Sequence, residues 1–81
     1  MATVRQVDRT VDARGLLCPL PILELAKALR AAPEGATVLV LATDPAMAAD
    51  VRAFCETTGF SLVALESEGT VYRAYVRKAG Q

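Results

Sequence analysis

The chain has 81 residues, enough for a single domain over 1–81, and 53% of them are hydrophobic, so a packed core is expected from about residue 7 to 78. Nine basic residues balance nine acidic ones, which leaves no overall field to attract nucleic acid or an acidic membrane, and only two Tyr and two Phe are present to stack on RNA bases. The sequence contains neither a bilayer-spanning apolar run nor a signal-peptide pattern, and its two distant cysteines do not suggest a disulfide framework, so a cytoplasmic, reducing location is expected.

The first half of the chain predicts a strand, an amphipathic helix and a second strand. Apolar and polar residues alternate over Val7–Val11, which predicts a half-buried strand. Helical spacing over Pro19–Ala31 places on one face the residues Ile22, Leu25, Ala26 and Leu29. Pro33 and Gly35 end this helix. The apolar run Thr37–Ala42 then predicts a central strand buried on both faces or nearly so.

The second half predicts a helix followed by a hairpin. Asp44 is positioned to cap the helix with Pro45 at its first position, and Gly59 suits a left-handed exit. The inner face of the helix is expected to contain Met47, Val51, Phe54, Cys55 and Thr58. Phe60–Glu66 and Val71–Arg77 alternate like strands and are joined by residues 67–70. The order βαβαββ predicts an α+β two-layer sandwich, in which two helices cover one face of a mixed four-stranded sheet.

Cys18 is the residue with the clearest chemical potential. It directly precedes the first predicted helix, where unpaired backbone N–H groups and the positive end of the helix dipole favour a thiolate over a thiol. Pro19 and Pro21 stiffen the first turn and leave the N–H groups of Leu20 and Ile22 as donors free to face an anion. Because a proline stands where redox motifs have a second cysteine, the motif favours holding an added sulfur over internal disulfide cycling.

The other polar candidates have more modest interpretations. Cys55 falls on the apolar stripe of the second helix, which favours a place in the core, although a disulfide with Cys18 is not excluded. Gly15 is expected to serve a turn that brings the chain to the helix tip. Arg14 is either a solvated loop charge or a group that attracts an anionic donor, and Asp12 either orders its own loop or opposes thiolate formation.

Two leucines near the thiol favour a docking surface for a partner. On a helical wheel Leu20 falls on the outward side near Lys27, and Leu23 falls on the flank. Exposed leucines are common, but two of them beside Cys18 and Arg14 favour a rim around the sulfur. No metal or cofactor is predicted, since the chain has no histidine, no cysteine pair at ligand spacing and no phosphate-binding glycine loop.

These residues also resemble the signature of a known family. Asp12, Arg14-Gly15 and Cys18-Pro19-x-Pro21 are similar to the motif of the TusA-like (SirA-like) sulfur-carrier proteins. Supporting matches are Thr43-Asp44-Pro45, Phe54-Cys55 and the closing segment from Glu66 to Lys78. One departure is Phe60, where the family is associated with a polar residue, often histidine.

The resemblance implies a sulfur carrier that acts by persulfide exchange. Cys18 would accept sulfur from a donor such as a cysteine desulfurase and pass it to an acceptor protein in tRNA thiolation, molybdenum cofactor biosynthesis or sulfur oxidation. Two alternatives remain open at this point. One is a regulatory or binding module in which Cys18 is structural, and the other is a redox sensor in which Cys18 pairs with Cys55 or with a second subunit.

Overall fold

The computed structural model describes residues 6–79, which form six elements in the order βαβαββ. The elements are β1 (Arg9–Ala13), α1 (Leu20–Ala31), β2 (Thr37–Ala42), α2 (Met47–Thr58), β3 (Ser61–Glu68) and β4 (Val71–Arg77). The strands form one sheet in the order β1-β2-β4-β3, with β1 parallel to β2 and the other neighbours antiparallel. The predicted α+β fold with a mixed four-stranded sheet is therefore confirmed.

One face of the sheet is covered by both helices. Along β2, Val38, Val40 and Ala42 are fully buried, whereas the alternate residues are half-buried. The expectation that this strand is buried on both faces or nearly so is met only in part, because a two-layer fold covers one side of the sheet and leaves the alternate residues half-buried. The largest fully buried side chains come from both helices and both central strands: Leu25, Leu29, Met47, Val38, Val40, Val51 and Val76. Burial of each such side chain contributes about 1.5–3 kcal/mol to folding.

The first strand lies two residues later than its alternation predicted. Its parallel pairing with β2 runs from Arg9 opposite Val38 to Ala13 opposite Ala42. This register buries Ala13 completely in the core, so contact with β2 and not the local pattern sets where β1 ends. The strand consequently delivers the chain directly to the loop that precedes Cys18.

The closing hairpin is tighter than predicted. Strand β3 extends to Glu68, which pairs with Val71, so only Gly69 and Thr70 form the turn. Gly69 has φ +62°, a conformation that glycine adopts without steric cost and that two-residue hairpin turns require. A register shift between Leu62 and Ala64 marks an irregularity in the outer strand.

The helix boundaries and faces differ in detail from the sequence pattern. Helix α1 starts at Leu20 rather than Pro19, and α2 starts at Met47, two residues after Pro45. The buried residues of α1 are Pro21, Leu25, Ala28 and Leu29, so Ile22 and Ala26 lie at the edge of the buried stripe. The prediction that Thr58 faces the core is wrong: the residue is exposed at the last position of α2, and its hydroxyl donates to the Phe54 carbonyl at 2.8 Å. Gly59 ends α2 with φ +80°, as predicted.

Candidate functional site

The loop after β1 is ordered by short-range hydrogen bonds. Asp12 accepts bonds from the Arg14 backbone N–H at 3.1 Å and from two guanidinium nitrogens, each at 2.8 Å. The pKa of Asp12 is lowered to about 2, mainly by these side-chain bonds. Gly15 turns the chain with φ +83°, and its N–H donates to the Thr43 hydroxyl at 3.0 Å. Of the two alternatives left open for Asp12, these bonds correspond to ordering of its own loop, and Gly15 has the positive φ of the expected turn.

Cys18 is exposed and lies two residues before the start of α1. Pro19, between Cys18 and the helix, occupies the N-cap position, and the Cys18–Pro19 peptide bond is cis. The backbone N–H of Cys18 donates to Asp44, whose other oxygen accepts the Ala46 N–H at 3.0 Å. Asp44 is buried, at 8% exposure, and these two hydrogen bonds join the loop before α1 to the loop before α2. Asp44 was predicted to cap α2, but the N-cap residue of that helix is Ala46 and no side chain makes a cap hydrogen bond there.

The electrostatics around the Cys18 sulfur are opposite to the sequence expectation. The pKa of the Cys18 thiol is raised above its ordinary value, first because Asp50 accepts a hydrogen bond from it, then by desolvation and by the charges of Asp50 and Asp44. Two observations oppose the helix-tip argument: the Leu20 N–H, one of the two donors expected to face an anion, bonds the Leu17 carbonyl at 2.9 Å, and the carboxylates of Asp50 and Asp44 disfavour a thiolate. At a given pH, the protonated fraction of Cys18 in the free protein is therefore larger than that of an isolated cysteine.

Three potential ligand atoms, from Cys18, Asp44 and Asp50, lie within 4.8 Å of one another. No metal-ligand spacing is visible along the chain, because these residues come from two loops and a helix. Both Asp44 oxygens already accept backbone N–H groups, which explains their position in the cluster by protein hydrogen bonds alone. Asp50 lies in the first turn of α2, where the helix dipole favours a negative charge.

A groove between α1 and α2 opens at the sulfur. Its volume is about 340 Å³, and its lining consists of Cys18, Pro19, Ile22, Asp50, Ala53, Phe54 and Thr57. The two polar side chains that bear on reactivity, Cys18 and Asp50, line the same groove as the apolar Ile22 and Phe54. A group that reacts with the sulfur from this side consequently passes the Asp50 carboxylate.

The residues predicted to dock a partner are at the surface near α1. Leu20 and Leu23 are 45% and 52% exposed, as the helical wheel indicated, and Leu17, which the sequence did not single out, is 70% exposed. The two predicted cations are not independent charges. Arg14 is held by Asp12, and Lys27 Nζ lies 3.9 Å from a Glu24 carboxylate oxygen. Their docking role stays a prediction.

Cys55 lies in the core, as predicted. It is 7% exposed within the main hydrophobic cluster, and burial raises the pKa of its thiol. Both cysteines are free thiols. Phe60, the departure from the family pattern, packs on Phe54 with ring centroids 6.4 Å apart. The position therefore contributes an apolar contact beneath α2.

The fold and the site together define a class: small α+β sandwiches that display one cysteine where β1 leads into α1. The family model of the sulfurtransferase TusA matches residues 9–78, and the chain belongs to the TusA family. The chain is also similar to the SirA-like protein from Desulfitobacterium hafniense, with a TM-score of 0.77 and 28% sequence identity over 90% of this chain and 99% of that one. Membership confirms the resemblance and indicates a general role in sulfur transfer. Within residues 6–79, neither helix is long and apolar enough to cross a membrane.

Asp50 is the site residue that the sequence analysis missed. Its position in the first turn of α2 was within reach of the pattern, because Asp44-Pro45 marked the start of that helix. The side of α2 that faces Cys18 depends on how α2 packs beside α1, and no local signal contains that information.

Proposed function

We propose that the protein carries sulfur as a persulfide on Cys18. The observation that supports this most directly is the contrast between the two thiols: Cys18 is exposed at the start of α1, and Cys55 is buried in the core. A single accessible thiol without a cysteine partner beside it retains an added sulfur that an internal thiol would otherwise displace. Gly15, Pro19 and Pro21 support this arrangement by fixing the approach to α1.

The exchange is redox-neutral. The Cys18 sulfur attacks the outer sulfur of a donor persulfide, so that a new S–S bond forms on Cys18 and the donor's S–S bond breaks. The donor cysteine leaves with the electron pair of that bond and takes up the proton that Cys18 loses. Delivery to an acceptor thiol repeats the same step in the opposite sense, and its rate depends on thiolate fraction, leaving group and access.

The partners are proteins, and the location we propose is the cytoplasm. A cysteine desulfurase is the donor that the family suggests. The acceptor is a relay protein or an enzyme of tRNA thiolation, molybdenum cofactor biosynthesis or sulfur oxidation. The balanced charge of the chain gives no support for direct contact with nucleic acid or membrane.

The second candidate is a regulatory binding module in which Cys18 does not transfer sulfur. The raised pKa of the Cys18 thiol favours it, because a thiol is a poorer nucleophile than a thiolate. The redox-sensor alternative has less support, since Cys55 belongs to the hydrophobic core and both cysteines are free.

Intact-mass analysis separates these candidates. The protein is incubated with a cysteine desulfurase and cysteine, and the product is treated with or without a reducing thiol. Sulfur carriage predicts a mass increase of one sulfur atom that the reductant removes, present in Cys55→Ser and absent in Cys18→Ser. A wild-type protein that gains no sulfur under conditions in which the desulfurase itself becomes loaded contradicts the proposal.

A further inference from the structure

The charges that act on the Cys18 sulfur are negative. Asp44 and Asp50 each place a carboxylate oxygen within 4.8 Å of the other and of the sulfur. In the described part of the chain, these two carboxylates are the only charged groups that shift the pKa of the thiol. The two cations predicted at this surface each lie beside a carboxylate of the same chain: Arg14 pairs with Asp12, and Lys27 lies beside Glu24.

The Asp50 carboxylate also lies beside the sulfur on the side from which the groove gives access to it. Cys18 and Asp50 line the same 340 Å³ groove between α1 and α2, whose other walls include Ile22, Ala53 and Phe54. An anionic molecule that enters to react at the sulfur brings its charge next to this carboxylate. A cationic molecule in the same position forms a favourable pair with it and offsets its effect on the thiol.

Resting on the proposed function, we propose that Asp50 makes Cys18 selective for sulfur donors that carry a positive charge beside the reacting sulfur. The donor's sulfur-bearing segment then occupies the groove between α1 and α2, with an apolar side chain against Ile22 and Phe54 and its cation at Asp50. The charge pair forms only when the donor docks. Cys18 is therefore kept less reactive toward small anionic or neutral reagents than toward its partner.

A matched pair of small reagents tests the selectivity without a protein partner. The trimethylammonioethyl and sulfonatoethyl methanethiosulfonates differ in charge and share a leaving group. In each reaction the Cys18 thiolate, its proton released to the buffer, forms an S–S bond to the reagent sulfur, and methanesulfinate departs. The ratio of the rate with the cationic reagent to the rate with the anionic reagent is measured for the protein and divided by the same ratio for 2-mercaptoethanol. A chelator is present throughout, and peptide mass verifies that Cys18 is the residue modified.

We expect a corrected ratio of about tenfold for the wild-type protein. Asp50→Asn should bring it to within about twofold of the reference thiol and should speed the reaction with the neutral methyl reagent, since the carboxylate that holds the proton is gone. Glu56→Gln is the matched control, because it removes an exposed charge from the same helix outside the groove, and it should leave the ratio unchanged. Asp50→Ser provides a second removal variant if Asp50→Asn does not fold.

The outcomes separate the two proposals. A wild-type ratio equal to that of 2-mercaptoethanol, or a ratio that Asp50→Asn and Asp50→Ser retain, overturns the role of Asp50 even if Cys18 accepts sulfur from a desulfurase. Cation selectivity that depends on Asp50 supports the inference. If the same protein takes up no sulfur in the mass experiment, that result overturns the sulfur-carrier proposal and leaves the measured selectivity of the thiol standing.

Discussion

The carboxylate of Asp44 accepts a hydrogen bond from the backbone N–H of Cys18, a residue 26 positions earlier in the chain. The same side chain accepts the N–H of Ala46, so one buried carboxylate fixes the starts of both helices relative to each other. The position of the sulfur therefore depends on the loop between β2 and α2 as much as on its own loop.

Replacing Asp44 should destabilise the protein. Asp44→Ala leaves two backbone N–H groups without their acceptor, which predicts a loss of about 1–3 kcal/mol in the free energy of unfolding. Asp44→Asn keeps one acceptor oxygen and should cost less. Urea unfolding followed by circular dichroism measures both, with the exposed Glu34→Gln as control. Equal midpoints for wild type and Asp44→Ala would show that the bonds contribute nothing to folding.

The reactivity of Cys18 should respond to pH as a raised thiol pKa requires. Since the folded-state pKa lies above the ordinary value, the thiolate fraction at neutral pH is smaller than in the unfolded chain. The iodoacetamide rate of native Cys18 should therefore rise along a pH profile whose midpoint is higher than that of a short peptide containing residues 14–22. A midpoint at or below that of the peptide would restore the helix-tip prediction.

The sign of the pH effect on stability follows from the same shift. Above the ordinary thiol pKa the unfolded chain loses its protons first, so it binds fewer protons than the folded protein and stability falls as pH rises. The raised pKa values of Cys18 and Cys55 both act in this direction. Thermal unfolding of wild type and Cys18→Ser on both sides of that pH range should show a smaller decrease for the variant. Identical decreases would mean that Cys18 does not contribute.

The two cysteines should differ in access even though both have raised pKa values. Alkylation of the native protein at neutral pH should modify the exposed Cys18 well before Cys55, and the difference should vanish in denaturant. Peptide mass spectrometry over time gives both rates. Equal rates in the folded protein would require Cys55 to open to solvent as readily as Cys18.

Cys55 should matter for stability and not for sulfur uptake. Its side chain lies in the hydrophobic cluster, where Cys55→Ser places a hydroxyl without an assured partner and should cost about 1–3 kcal/mol. Cys55→Ala is the comparison, because it removes the sulfur without adding a polar group. Denaturant unfolding and desulfurase loading are measured on both variants. Lost loading at unchanged stability would reverse the roles assigned to the two cysteines.

The sequence predicted what depends on local periodicity and missed what depends on packing between elements. The apolar spacing of α1, the run that forms β2 and the core position of Cys55 are all visible in the pattern of side chains. The effect of Asp50 on the pKa of Cys18 is not visible in that pattern, because it arises where α2 meets the start of α1. The helix-tip argument considered only the backbone around Cys18 and therefore gave the wrong sign for its pKa shift.

A partner that docks beside the first turn of α1 should be sensitive to charged residues placed on that surface. Sulfur transfer requires the two reacting atoms to approach to about 3–3.5 Å, so the interface must surround Cys18. Leu20 and Leu23 offer exposed apolar area there, and Leu20→Glu with Leu23→Glu should slow sulfur transfer from a desulfurase. The circular-dichroism melt should not change, since neither leucine is in the core. The iodoacetamide rate of Cys18 is measured on the same variant, and the transfer rate is divided by it, so that any effect of the added carboxylates on the thiol pKa is separated from an effect on docking. Val63→Glu, on the outer strand at a similar exposure of 50%, is the matched control. Transfer kinetics unchanged by the double leucine variant would show that these leucines are not part of the interface with the donor.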